Sequence, residues 1–244
     1  MTSLEKPDIV TTNVRWRWPA VHPEGRKFVV IATAIALAFL FFISDEVGFP
    51  LVAVAIWVAA FFRDPIRTTP RGDGLIIAPA DGLVTMMTRV VPPREMLGEG
   101  GLEPDPLLRV SIFMSVFDVH INRTPIPGEI KRVVYISGKF LNADLDKASE
   151  ENERQHILVE GRGGIRVGFT QIAGLVARRI VPWVKPGDLV GVGQRVGLIR
   201  FGSRVDVYLP ANAAPAVLLG QRTIAGETIV GRVGGPEMLE SVSQ

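Results

Sequence analysis

VKPGDLVGVGQRVGLIRFGSRVDVYLP, residues 184–210, decides the fold. Short runs of β-branched and aromatic residues are broken by Pro186-Gly187, Gly191, Gly193, Gly197 and Gly202-Ser203. Runs of that length, bounded by Gly and Pro, read as strands joined by tight turns. The same texture extends toward the N-terminus through GLIIAPADGLVTMM, LLRVSIFMSV, GEIKRVVYIS, QHILVEG and GIRVGFTQIAG. Residues 63–244 are therefore read as one mainly β domain, an antiparallel sandwich or partly closed barrel. Within it Asp81-Gly82 reads as a hairpin turn. VPPREMLGEGGLEPDP (91–106) reads as an exposed, mobile loop. LNADLDKASEENERQ (141–155) is the one helical or loop candidate, too polar for the core.

The chain before this domain has a different character. Residues 1–27 are polar and contain Arg15, Trp16, Arg17, Trp18, Arg26 and Lys27. FVVIATAIALAFLFFI (28–43) and VGFPLVAVAIWVAAFF (47–62) follow, separated by Ser44-Asp45-Glu46. Sixteen residues make about 24 Å of helix at roughly 1.5 Å each, against a hydrocarbon core of about 30 Å. Each run is slightly short for an upright span. A buried helical pair in a soluble core is the alternative, but soluble helices keep a polar stripe and these are apolar on every face. A cleaved leader would need an A-x-A-like site after the first run, and none is convincing. Residues 28–62 are read as a membrane-associated helical hairpin. Arg15, Arg17, Arg26 and Lys27 precede it, Arg63, Arg67 and Arg71 follow it, and the connector is acidic. The positive-inside rule then sets both ends, and the β domain, on the cytoplasmic face of the cell membrane. Trp16, Trp18 and Trp57 suit interfacial positions, although Trp57 serves equally for helix packing.

Composition narrows the chemistry. The net charge of +2 gives no electrostatic case for nucleic acid. The absence of Cys excludes thiol nucleophiles, disulfides and cysteine-held metal. His22, His120 and His156 lie far apart in sequence, with no metal-ligand spacing, so no metal is expected. Each remaining candidate has a structural reading beside a chemical one. Asp81, in APADG, is a turn residue on its local sequence. His120, in MSVFDVHINRTP, ends an apolar run, where a hydrogen-bonded structural histidine is common. Asp118 would share its face if the strand continues. Ser203 lies in FGSRV, which is neither a G-x-S-x-G elbow nor the entrance to a helix.

Taken in order with the apolar hairpin, FRDPIRTTP, APADG, MSVFDVHINRTP and the 184–210 block, the sequence resembles the phosphatidylserine decarboxylases, in their short prokaryotic form. The resemblance covers nearly the whole chain. It implies an inactive precursor that cuts itself between Gly202 and Ser203 into a β chain, 1–202, and an α chain, 203–244, which stay together as a heterodimer; a higher oligomer is left open. Ser203 would become a covalent pyruvoyl group, the cofactor. That group would form a Schiff base with the amine of phosphatidylserine, its partner in the membrane, and yield phosphatidylethanolamine and CO2. The resemblance further implies that His120 is the base for self-cleavage and the proton donor in turnover, with Asp81 orienting it. In longer relatives a second histidine stands three positions after the first. Here that position is Arg123, which stays protonated and so suits a lipid phosphate or carboxylate rather than base catalysis. Two readings outside this resemblance remain. The 184–199 texture also suits biotinyl- or lipoyl-type carrier or adaptor domains, with Lys185 modified, although the flanking Met residues of such sites are missing. A membrane-anchored serine hydrolase could use Ser203, His120 and Asp81 without cutting itself.

Overall fold

The computed structural model describes residues 17–138, 151–174, 179–200 and 203–235. At the N-terminal end, β1 (Ala20–Val21) leads into helix α1 (Pro23–Phe42), and α2 (Asp45–Phe61) returns to β2 (Arg63–Asp64). Pro23 occupies the first turn of α1, where its missing N–H costs nothing, and the His22 side chain accepts a hydrogen bond from the Glu24 N–H at 3.2 Å. The helix begins before residue 28, so Arg26 and Lys27 lie in its first turns. β1 and β2 pair antiparallel, Ala20 with Asp64 and Val21 with Arg63, and close the foot of the hairpin. Gly25 lets the helices meet there, since a Cβ on it would lie 2.2 Å from Phe62 Cβ.

Among the described residues, most of this hairpin has no protein cover. The most apolar stretch of α1 has a mean hydropathy of 1.9, yet only 11% of it is buried. Phe42 is 86% exposed, and Phe41, Phe49 and Ile56 are exposed on the same pair. A helical pair inside a soluble core would hide these side chains. Among the described residues, α1 is the helix long and apolar enough to cross a membrane.

The β domain is antiparallel. After β3 (Leu75–Ile77) come β4 (Gly82–Val90), β5 (Leu107–Met114), β6 (Ile121–Arg123), β7 (Gly128–Ile136), β8 (Arg154–Glu160) and β9 (Arg166–Ala173). These are followed by β10 (Ile180–Pro182), β11 (Leu189–Val190), β12 (Arg195–Ile199), β13 (Ser203–Leu209), β14 (Ala213–Pro215), β15 (Arg222–Thr223) and β16 (Ile229–Val233). Eight of them form one curled sheet, a half-barrel, in the order β11-β7-β8-β9-β13-β5-β4-β15. Two three-stranded sheets, β10-β12-β6 and β14-β16-β3, complete the domain. Alternating apolar residues of the curled sheet, among them Val84, Ile112, Ile157, Phe169, Val205 and Val207, fill one continuous core with Ile76 and Val230 of the third sheet. A second cluster joins the hairpin foot to the domain: Val58, Phe61 and Phe62 pack on Val119, Ile121 and Leu198.

Three local expectations change. Asp81-Gly82 is not a hairpin turn, because β3 and β4 belong to different sheets and do not pair. Gly82 instead allows a close crossing at φ 153°, where a Cβ would lie 2.2 Å from the Phe113 carbonyl oxygen. Residues 91–106 are not loose: Met96 and Leu102 are buried in a third cluster with Leu107, Leu158 and Tyr208. Arg132 fastens that segment by donating to the carbonyls of Glu95, Leu97 and Glu99. Of the polar stretch 141–155, residues 141–150 lie outside the described residues. Its last part is core after all, with Asn152, Glu153 and Gln155 buried and Gln155 already in β8.

Candidate active site

Ser203 is the first residue of β13, and its backbone stands between Met114, the last residue of β5, and Ala173, the last of β9. Ala173 is itself held on its far flank, away from β13. Its N–H donates to the Glu153 carbonyl at 2.9 Å, and its carbonyl accepts from Asn152 Nδ2 at 2.7 Å. Gly202 lies outside the described residues.

His120 approaches from β6. Ile121 pairs with Leu198, and the Ile199 N–H donates to the His120 carbonyl at 3.2 Å. His120 thus lies across from the end of β12, where the link 200–202 begins. The residue is fully buried. Its Nδ1 lies 2.9 Å from the Asp118 carbonyl oxygen, which can only accept, so Nδ1 carries the proton and the neutral ring keeps its lone pair on Nε2. The Phe61 ring, from the last residue of α2, covers the imidazole with centroids 4.2 Å apart. Burial lowers the His120 pKa to about 4, against the raising influence of Asp118. At neutral pH the ring is unprotonated at Nε2.

Asp81 does not hydrogen-bond to His120 among the described contacts. One of its carboxylate oxygens accepts from Arg67 Nη2 at 2.6 Å and the other from the Ala225 N–H at 2.7 Å. Burial raises its pKa, while Arg67 opposes the shift. Asp118 is the acid beside the histidine. Its Oδ2 accepts from the Ser115 N–H at 2.9 Å, its Oδ1 pairs with Arg222, and its carbonyl holds the ring. The serine-protease-like order, with Asp81 bonded to the histidine, is therefore not the arrangement seen.

Arg123 also departs from expectation. It is buried, and its guanidinium donates to the carbonyls of Gly193 at 2.9 Å and Pro65 at 3.1 Å, with Asp64 3.9 Å away. Burial draws its pKa down to about 10. It ties the exit of the hairpin to the β domain, a poor fit to a lipid anion at this position. Lys185 is exposed on the turn before β11, where its N–H is bonded to Asp188.

The model of the phosphatidylserine decarboxylase family matches residues 54–231. The chain belongs to the phosphatidylserine decarboxylase family. It is 60% identical over 234 residues to a phosphatidylserine decarboxylase proenzyme of Novosphingobium aromaticivorans, covering 94% of this chain and 93% of that one. Proteins of the same description from Erythrobacter litoralis and Zymomonas mobilis subsp. mobilis are 58% and 59% identical, each covering 94% of both chains. The chain is accordingly a decarboxylase, which displaces both the carrier reading built on Lys185 and the plain hydrolase.

Several polar residues of this decarboxylase fold were not singled out by sequence. Asn122, two residues after His120, accepts from Gln171 Nε2 at 2.8 Å, and Gln171 accepts from Gln155 Nε2 at 2.9 Å. All three amides are buried. Arg204, next to the Gly202-Ser203 bond, is fully buried and pairs with Asp206 at 2.9 Å. Only the i, i+2 alternation of Arg204 and Asp206 along a strand could have signalled that pair.

Proposed function

We propose that this chain is made as a precursor that cuts itself between Gly202 and Ser203, and that the product decarboxylates phosphatidylserine to phosphatidylethanolamine and CO2. The supporting observation is the juxtaposition at the head of β13: Ser203 begins the strand, while the buried, neutral His120 lies across from the start of the link 200–202. The Ser203 hydroxyl would attack the Gly202 carbonyl as His120 Nε2 accepts its proton, exchanging the peptide bond for an ester. Loss of the ester by β-elimination, followed by hydrolysis with release of ammonia, would leave the pyruvoyl group at residue 203. Asp118 fixes the tautomer of His120, and Asp81 acts at one remove, by anchoring Arg67 and the backbone at Ala225.

The strand pairing suits such a group. Residue 203 stands in register between Met114 of β5 and Ala173 of β9, so a chain end formed there lies between two strands without the peptide bond. Once formed, the pyruvoyl group supplies the electron sink for loss of CO2 from an amino-acid headgroup. His120 then holds and returns a proton at Nε2, and its low basicity means that a proton gained in one step is readily given in the next. Buried Asn122 and Gln171 bond to each other beside this backbone. Arg26, Lys27, Arg63, Arg67 and Arg71 cluster at the foot of the hairpin and Asp45 and Glu46 at its tip, which supports a catalytic domain, 63–244, on the cytoplasmic side.

Intact-mass measurement of the purified protein tests this reading. Two chains are expected, 1–202 and 203–244, the second lacking a terminal amine, and Ser203→Ala should give one full-length, inactive chain. An uncut native chain, or a cut Ser203→Ala variant, would overturn it.

A further inference from the structure

We infer that the turn Ser115–Val119 is a second membrane contact, in which Phe117 enters the headgroup layer beside the hairpin and seats the candidate site against an anionic bilayer. The inference rests on the membrane reading of the hairpin. Phe117 is 71% exposed, alone among the five residues of this turn, while Asp118 and Val119 next to it are buried. The turn is held rigidly. The Asp118 N–H donates to the Ser115 carbonyl at 2.9 Å, the Ser115 N–H to Asp118 Oδ2 at 2.9 Å, and the Phe117 N–H to Ser115 Oγ at 3.3 Å. A large apolar ring is thus kept in the open by a turn with no freedom to fold it back.

Scattered exposed apolar residues are ordinary on soluble surfaces, so the position of Phe117 decides the matter. Arg63 donates to the Phe117 carbonyl at 2.8 Å and to the Ala60 carbonyl, in the last turn of α2, at 2.7 Å. One guanidinium therefore clamps the turn to the end of the helix, and Val119 packs in the same cluster as Phe61 and Phe62. The depth of α2 in a bilayer fixes the depth of Phe117, which falls at the level where the helix emerges. The surroundings have interfacial chemistry. Arg222, paired with Asp118, lies opposite Leu83 and two residues before exposed Ile224, and Ile66, 87% exposed, follows Arg63 by three residues. Aromatic and aliphatic tips among arginines match the headgroup layer of an anionic leaflet. The same turn carries the carbonyl that orients His120, so this contact would set the site at headgroup height.

The chain has no cysteine, so Phe117→Cys and Val54→Cys each place one fluorescent label in an otherwise native protein. Val54, near the middle of α2 and 48% exposed, reports on the hairpin itself. Both proteins would be reconstituted in phosphatidylcholine–phosphatidylglycerol vesicles. The expected result is quenching of the Val54 label by lipids carrying a nitroxide in the acyl chain and of the Phe117 label by lipids carrying one on the headgroup. A Phe117 label quenched by aqueous iodide and blind to nitroxide lipids, with Val54 quenched as expected, overturns this inference and leaves the hairpin reading intact. Failure of lipid quenching at Val54 overturns the hairpin reading and the inference together. A Phe117 label shielded from both quenchers means that a second copy of the chain covers the turn, which also overturns it.

Discussion

His156 isolates a property that His120 shares. Its Nδ1 lies 2.8 Å from Thr170 Oγ1, it is buried in β8, and desolvation lowers its pKa to about 4. An unfolded chain takes up that proton near pH 6.5. Between about pH 6.5 and 4 the unfolded state therefore binds more protons, and stability falls as the solution is acidified through that window. Above it the penalty is absent. His156→Gln should flatten the fall, with the part due to His120 remaining, and urea midpoints measured at pH 7 and pH 5 would show it. An equal drop in both proteins would mean that the buried imidazole is not held neutral.

At the level of elements, the junction between hairpin and half-barrel rests on α2. Phe61 fills the second apolar cluster and covers His120, so Phe61→Ala has two separable effects. Truncation of a buried Phe costs about 3–5 kcal/mol. Water reaching the ring should also move the acid limb of the proposed self-processing upward, from near pH 4 toward 6.5, as followed by the rate at which freshly made precursor is cut. An unmoved limb with lowered stability would reduce Phe61 to filling space. The elements were legible in sequence where periodicity and punctuation agree: the apolar hairpin, and the strands around Gly and Pro. Residues 91–106 and the start of β8 were not, because their burial depends on partners far along the chain. Arg132 fixes the first and the ends of β9 and β10 the second. For the candidate site, Ser203 and His120 were proposed from the family's motifs. Asp118 was visible as a neighbour but not as the group that orients the ring, since the backbone carbonyl does that work and carries no sequence signature. Asp81 and Arg123 were expected as site residues, yet their partners, Pro65 and Arg67, Gly193, and Ala225, come from three separate segments that only the fold assembles.

Across the whole molecule, residues 203–235 are distributed rather than set apart. β13 lies within the eight-stranded sheet, β15 borders the same sheet on β4, and β14 and β16 join β3 in another. A cut before Ser203 therefore frees no domain. The two fragments should co-elute in mild detergent and separate only in denaturant, as size exclusion with mass detection would reveal. Separation without denaturant would contradict the interlocked topology. The same distribution sets an order in time. As the polypeptide leaves the ribosome, β5 and β9 emerge long before β13 and present unpaired edges, a hazard for aggregation. Their shared gap closes only when β13 has been translated. On the proposed chemistry the reacting bond stands at the mouth of that gap, so a nascent or prematurely terminated chain has no finished sheet in which to cut itself. On that reading, activation waits until β13 has been made.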